Sequence, residues 1–258
     1  MPYIIKFKIF LPIIRLISFV YRNNIIFSTK EFIYQVPKNF NSISKFLMRF
    51  NLYEKKERSL VSKLLNNTNI IEAGGGIGLI SMYLKKKVAD KKLVILEPNR
   101  KMNDLILNNF KINKFNLKNI KILNYALSYK NKKKERFFTY EIDMANSISK
   151  NNQNYNFKKK KTEFVDTISL NSLIKKFKIN NFQLVMDIEG EELNVLTKEN
   201  KWIKNCLSIL VENHLSNPDL KKLNKYIENK GFKLIDSKEN VYLFMKESYA
   251  QNYQRKSK

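Results

Sequence analysis

The chain is poor in residues that build covalent or metal cross-links. Its 258 residues include one cysteine, Cys206, and one histidine, His214. A disulfide framework, a cysteine-built zinc site and a multi-histidine metal centre within one chain are therefore excluded, and the lone cysteine fits a reducing compartment. No uninterrupted apolar run approaches the roughly 20 residues that a membrane-spanning helix needs. The most apolar stretch, residues 3–27, is broken by Pro12 and Arg15. Acids are scarce as well, 23 against 49 lysines and arginines, which leaves a formal net charge of +26. With 43% hydrophobic and 12% aromatic residues, the chain is not a disordered one.

The positive charge invites a nucleic-acid reading, since phosphates are bound by Lys and Arg. Only seven of the basic residues are arginine, however, and lysine, asparagine and isoleucine dominate together. That is what AT-rich codons encode, whereas phosphate and base recognition favours arginine forks. No specific nucleic-acid partner is expected. Residues 3–27 have two readings. One is a helical appendage packed on the domain; the other is an interfacial helix touching a membrane with basic and apolar residues together. Lys6 and Lys8 before an apolar stretch resemble a secretory leader, but no small-residue cleavage site follows. The expected location is cytoplasmic, with peripheral membrane contact through residues 3–27 as the alternative.

Strand and helix patterns alternate from residue 69 onward. Apolar runs at 69–73, 93–96 and 120–127 read as buried strands, with helices at 77–87 and 100–112 between them. A strand at 136–140 precedes a long polar loop, 141–161. Then follow a strand at 163–166, a helix at 169–177, a strand at 184–188, a helix at 191–198, a strand at 207–212 and a helix at 218–230. The chain closes with a hairpin, 232–236 and 241–245. Continuous apolar runs separated by helices imply parallel strands covered on both faces, and the closing hairpin implies an antiparallel edge. Before residue 69, a strand or turn is expected to lead into helix, clearest from 54 to 65.

Four segments carry chemistry. In EAGGGIG, residues 72–78, a strand ends in glycines and a helix begins, so a ligand can approach the backbone closely. A dinucleotide fingerprint, G-x-G-x-x-G, would need a third glycine where Leu79 stands. A pyrophosphate has no use for the carboxylate of Glu72, whereas a ligand with an ammonium group does. Glu97, in LEPN at the end of the next strand, is placed to bond ribose hydroxyls. In MDIEGEE, residues 186–192, Asp187 and Glu189 emerge at a strand terminus, on the same side if the chain stays extended. They could hold an acceptor hydroxyl, act as a base, or bind a divalent metal. Glu191 and Glu192 read as acids complementing a helix dipole. In VENH, residues 211–214, Glu212 and His214 alternate onto one side. His214 is either a base or a plain surface-loop histidine.

The ordered set of IIEAGGGIGLIS (70–81), LEPN (96–99), ILNYALS (122–128), NSIS (146–149), FVDTISLNSLI (164–174) and LVMDIEGEELNVL (184–196) resembles the FkbM family of S-adenosylmethionine-dependent methyltransferases. The family usually has Asp in place of Glu72 and fewer glycines in the turn. The resemblance implies an α/β, Rossmann-like class I methyltransferase fold. It is expected here as a mostly parallel sheet with an antiparallel C-terminal hairpin strand, behind an N-terminal helical extension. The expected division is 1–60 for the extension, 61–248 for the methyltransferase domain and 249–258 for a basic tail. It also implies methyl transfer from S-adenosylmethionine to a hydroxyl of a sugar, glycan or natural product.

On this reading Glu72, Gly74, Gly76 and Gly78 hold the methionine end. Glu97, Pro98 and Asn99 hold the ribose, and Tyr125 and Ala126 flank adenine. Asp187 leads the catalytic candidates, alone or through a metal, followed by Glu189 and His214. Asn146 and Ser147 of the long loop would meet the acceptor, and the loop's lysines suit one with negative charge. The competing readings are a nucleic-acid methyltransferase, a noncatalytic nucleoside- or glycan-binding protein, and an NAD-dependent oxidoreductase disfavoured by Leu79.

Overall fold

The structure, a computed structural model, describes residues 16, 19–20, 25–38, 40, 42–140, 159–198 and 201–250. A short hairpin, β1 (Ile26–Ser28) and β2 (Ile33–Gln35), is followed by α1 (Ser42–Arg49) and α2 (Lys55–Val61). Then come β3 (Asn69–Ala73), α3 (Leu79–Val88), β4 (Leu93–Leu96), α4 (Arg100–Ile112), β5 (Ile120–Leu123), β6 (Ala126–Leu127), β7 (Lys132–Tyr140) and β8 (Lys159–Ile168). The chain continues through α5 (Leu170–Phe177), β9 (Phe182–Met186), α6 (Glu192–Lys198), a 3-10 turn at Lys201–Asn205, β10 (Cys206–Glu212), α7 (Asn217–Asn229), β11 (Phe232–Lys238) and β12 (Val241–Lys246).

Seven strands form the central sheet in the order β11-β12-β10-β9-β3-β4-β5. The pairs joining β10, β9, β3, β4 and β5 are parallel, whereas β12 runs antiparallel to both its neighbours. The two-residue side-chain period of a strand explains the two cores. Ile70, Leu93, Ile95, Val185 and Leu210 face the layer of α2, α3 and α4. Ile71, Val94, Leu96, Leu184, Ile209 and Val211 face the layer of α5, α6 and α7. Glu72, two residues after Ile70, therefore belongs to the first face. From β3 the chain adds β4 and β5 on one side and later β9 and β10 on the other, and this switch of strand order opens a crevice at the C-terminal ends of the parallel strands, where ligands bind in such sheets.

The structure corrects the sequence expectations at several places. The closing hairpin does form the antiparallel margin of the sheet, with β12 as the reversed strand inserted between β10 and the edge strand β11. The run 120–127 is not one strand. It breaks after Leu123, and Ala126–Leu127 pairs with β8 in a separate three-stranded sheet with β7. The strand read at 184–188 ends at Met186, because Asp187 and Ile188 already turn toward α6. The strand or turn expected before the helix is a hairpin over residues 26–35, which begins two residues earlier than read. Phe27, Phe32 and Tyr34 are buried in the first core, which a helical phase would not have achieved. The fully buried Asn109 of α4 fixes this hairpin: its amide bonds the Gln35 N–H at 2.7 Å and the Gln35 carbonyl at 3.0 Å.

Candidate active site

The turn after β3 shows what each glycine is for. A Cβ at Gly74 would lie 1.9 Å from the backbone oxygen of Asp187, so this glycine lets the ends of β3 and β9 cross closely. A Cβ at Gly75 would strike Ile95 and Ile106, and one at Gly78 would crowd Ile106 where α4 packs on the start of α3. Only at Gly76, with φ +51°, would a Cβ meet nothing within 4 Å. Its N–H donates to Glu97 Oε2 at 2.9 Å, while Glu97 Oε1 accepts from the Asn99 N–H at 2.8 Å. Asn99 also caps α4, its side chain accepting from the Lys101 N–H. Asn124 then ties this corner to the loop after β5 by donating to the carbonyls of Glu97 and Pro98. Pro98 thus shapes the corner, and Tyr125 and Ala126 follow directly on the far side of Asn124.

Glu72 is buried on the face of α3, where it accepts a 2.6 Å hydrogen bond from the buried Ser81 hydroxyl. Burial pushes its carboxyl up to about 8 against that bond. Burial likewise raises Glu97 to about 7, opposed by its two backbone donors. A cleft of about 470 Å³ opens beside them, lined by Glu72, Ala73, Gly74, Gly75 and Ile80, by Val185, Met186 and Asp187, by Leu210, Glu212 and Val241, and by Glu54 and Glu57. Sequence reasoning missed the last two. Glu54 sits in the left-handed region at φ 49° at the start of α2 and is raised to about 8 by burial and by neighbouring Glu57, Glu212 and Glu72. Nothing in its sequence neighbourhood marks it, since only the fold brings α2 over the strand ends.

The second half of the site is built on His214. It is buried, not on a surface loop, with its side chain 3% exposed. Its Nδ1 lies 3.0 Å from Glu192 Oε1 and 3.8 Å from Asp187 Oδ1. Its Nε2 lies 3.5 Å from Glu189 Oε2 and 3.6 Å from Glu212 Oε1. Burial disfavours the imidazolium, but the bond to Glu192 and the charges of Glu189, Glu192 and Glu212 outweigh it and raise the group to about 9. Glu192 is fully buried and also accepts from the Gly190 N–H, so it is more than an acid at a helix start. The signal for it was the run E-G-E-E, in which the turn at Gly190, φ 107°, sends Glu192 back toward the strand ends. Glu189, at φ 55°, is not extended, yet it reaches the same histidine as Asp187.

Asp187 stands at the wall of the cleft. Its side chain is 45% exposed, while Oδ1 is buried without a hydrogen-bond partner. Burial of that oxygen, followed by the charges of Glu212, Glu189, Glu192 and Glu54, raises its carboxyl well above the usual range. The structure therefore brings Asp187, Glu189 and His214 together, and places Glu72, Gly76 and Glu97 on the adjoining turn. Asn146 and Ser147, with most of the loop 141–161, lie outside the described residues. No helix among the described residues is long and apolar enough to cross a membrane.

The profile of a family described as Methyltransferase FkbM domain matches residues 70–234. No curated protein matches the chain. Among solved structures, it is similar to methyltransferase FkbM from Methylobacillus flagellatus KT, at 12% identity over 92% of this chain and 58% of that one, with a TM-score of 0.44. It is also similar to M. capricolum TrmK in complex with S-adenosyl-homocysteine, at 14% identity over 73% and 66% of the two chains, with a TM-score of 0.43. A third is a precorrin-6y C5,15-methyltransferase from Geobacter metallireducens GS-15, at 11% identity over 72% and 84%, with a TM-score of 0.41. The chain spans less than two thirds of the length of the first two.

Proposed function

The chain belongs to the FkbM methyltransferase family, and from that premise we propose that it methylates a hydroxyl oxygen of a sugar, glycan or natural-product acceptor, with S-adenosylmethionine as donor. One observation carries the cofactor part. On the turn after β3 open space is left at Gly76 alone, whose N–H meets the buried carboxyl of Glu97, while the buried carboxyl of Glu72 lines the adjoining cleft. A ligand with an ammonium at one end and ribose hydroxyls beside it suits that pair, whereas a pyrophosphate would meet two carboxyls.

When bound, S-adenosylmethionine supplies an electrophilic methyl group on a sulfonium that departs as a neutral thioether. Glu72 and the Gly76 backbone would hold its amino-acid end, and Glu97 its ribose. The remaining task of the chain is to orient the acceptor and take its proton as the new O–C bond forms. Asp187 is the base we assign, because its carboxyl is at the cleft wall and its Oδ1 has no donor to lose. A nucleic-acid acceptor fits less well: five carboxyls line the cleft and no lysine or arginine does, among the described residues. The test is incubation with isotopically methyl-labelled S-adenosylmethionine and a carbohydrate panel, read by mass spectrometry. Label on a glycan hydroxyl supports the reading; label only on RNA overturns its acceptor half.

A further inference from the structure

The cleft reverses the charge of the protein around it. Basic residues outnumber acids by more than two to one, yet among the described residues the lining holds five acids and no lysine or arginine. Glu72 answers to the amino group of the cofactor. Glu212 at the end of β10 has no such explanation, and Asp187 at the end of β9 has one only as the proposed base. We propose that Asp187, Glu212 and His214 bind a divalent cation of the Mg²⁺/Mn²⁺ class.

One donor atom from each of the three lies within 4.8 Å of the others. On an octahedral ion with bonds of about 2.1 Å, adjacent ligands are about 3.0 Å apart and opposite ones about 4.2 Å, so the three donors would draw together around the ion. A second observation comes from Glu192, which lies outside that trio and is fully buried with an oxygen that no donor meets. Asp187 Oδ1 is buried without a hydrogen-bond partner, and so is Oε2 of Glu192, whose side chain has no exposed surface. Oxygens so placed are costly unless a positive charge meets them.

Glu192 also explains how the imidazole is aimed. Its Oε1, fixed by the Gly190 N–H, lies 3.0 Å from His214 Nδ1. A cation would displace the proton of Nε2, which faces Glu212 Oε1 and Glu189 Oε2 at 3.6 and 3.5 Å, while the proton on Nδ1 stays directed at Glu192. A carboxylate behind a histidine is how metal-binding imidazoles are commonly held, and Glu192 is here a positioning residue. One imidazole among carboxylates suits Mn²⁺ and Mg²⁺ and lacks the thiolates that favour zinc.

The use of this cation at the acceptor rests on the methyltransferase reading, but its binding is tested without turnover. The full chain, stripped with a chelator, is titrated with Mn²⁺, following the loss of the free-ion electron paramagnetic resonance signal. S-adenosylhomocysteine binding is measured in parallel by calorimetry. We expect one Mn²⁺ per chain, displaced by excess Mg²⁺. Asp187→Asn and His214→Gln should each weaken binding at least about tenfold, and Glu192→Gln about 10–100-fold, while all three still bind S-adenosylhomocysteine. A chain that binds S-adenosylhomocysteine but no Mn²⁺, or that binds Mn²⁺ equally well in all three variants, overturns the proposal. Mn²⁺ binding with the expected variant losses but without S-adenosylhomocysteine binding supports the cation site and removes the cofactor reading instead.

Discussion

Glu97 Oε2 lies 2.9 Å from the backbone nitrogen of Gly76, so the end of β4 and the turn after β3 are clamped across 21 residues of sequence. The clamp uses a carboxyl raised to about 7, because burial outweighs its two backbone donors. Removing it in Glu97→Ala should weaken S-adenosylhomocysteine binding by about 1.5–3 kcal/mol, the range for hydrogen bonds to a charged group. The wild-type affinity should also depend on pH. Below about 7 Glu97 holds a proton that ribose binding must displace, so affinity should fall by up to about tenfold per pH unit. Calorimetry from pH 5.5 to 8.5 checks this, and Glu97→Gln should give a flatter profile.

Of the three glycines at positive φ on this turn, Gly74 and Gly76 should respond differently to a methyl group. Gly74→Ala places Cβ against the Asp187 carbonyl at φ +89° and should destabilise the fold by about 1–2 kcal/mol for the left-handed backbone, with about 1–3 more for overpacking. Gly76→Ala adds only the backbone part, since its Cβ meets nothing. Denaturant melts should rank wild type, Gly76→Ala and Gly74→Ala in falling order, with cofactor affinity lost in the Gly76 variant that still folds.

Glu54 should make the ligand-free protein less stable as pH rises. Its folded carboxyl titrates near 8, above its unfolded value, so its contribution is fully present below about 4.5 and is lost as pH climbs through 8. Glu54→Gln should therefore melt higher than wild type at pH 8.5 and nearly level with it at pH 5. Each kcal/mol recovered corresponds to about 2–4 °C in a chain of this size. Thermal melts at the two pH values read the difference directly.

Much of this architecture is legible from periodicity. The helix at Arg100–Ile112 was readable to the residue because Met102, Ile106 and Phe110 form one buried stripe behind an Asn99 cap. The glycine turn and Glu97 were readable because strand ends followed by glycine or acid mark the crevice of a parallel sheet. The break at Asn124 was not, since ILNYAL continues an apolar run and only pairing with β8 diverts it. Asp187, Glu189 and Glu212 were readable as acids at strand ends, but Glu192 and Glu54 were hidden for the same reason. Glu192 stands in a helix start that already explained an acid, and Glu54 comes from a helix that folding brings across the sheet. Local pattern reports which residues are buried, while convergence of distant segments on one cleft depends on topology.

The central claim is that the space between Glu72, Gly76 and Glu97 holds an S-adenosyl group. Isothermal calorimetry of the full chain with S-adenosylhomocysteine and, separately, with NAD tests it most directly. We predict saturable binding of one S-adenosylhomocysteine per chain, weakened in Glu97→Ala, and no heat with NAD. Binding of NAD without binding of S-adenosylhomocysteine would contradict it.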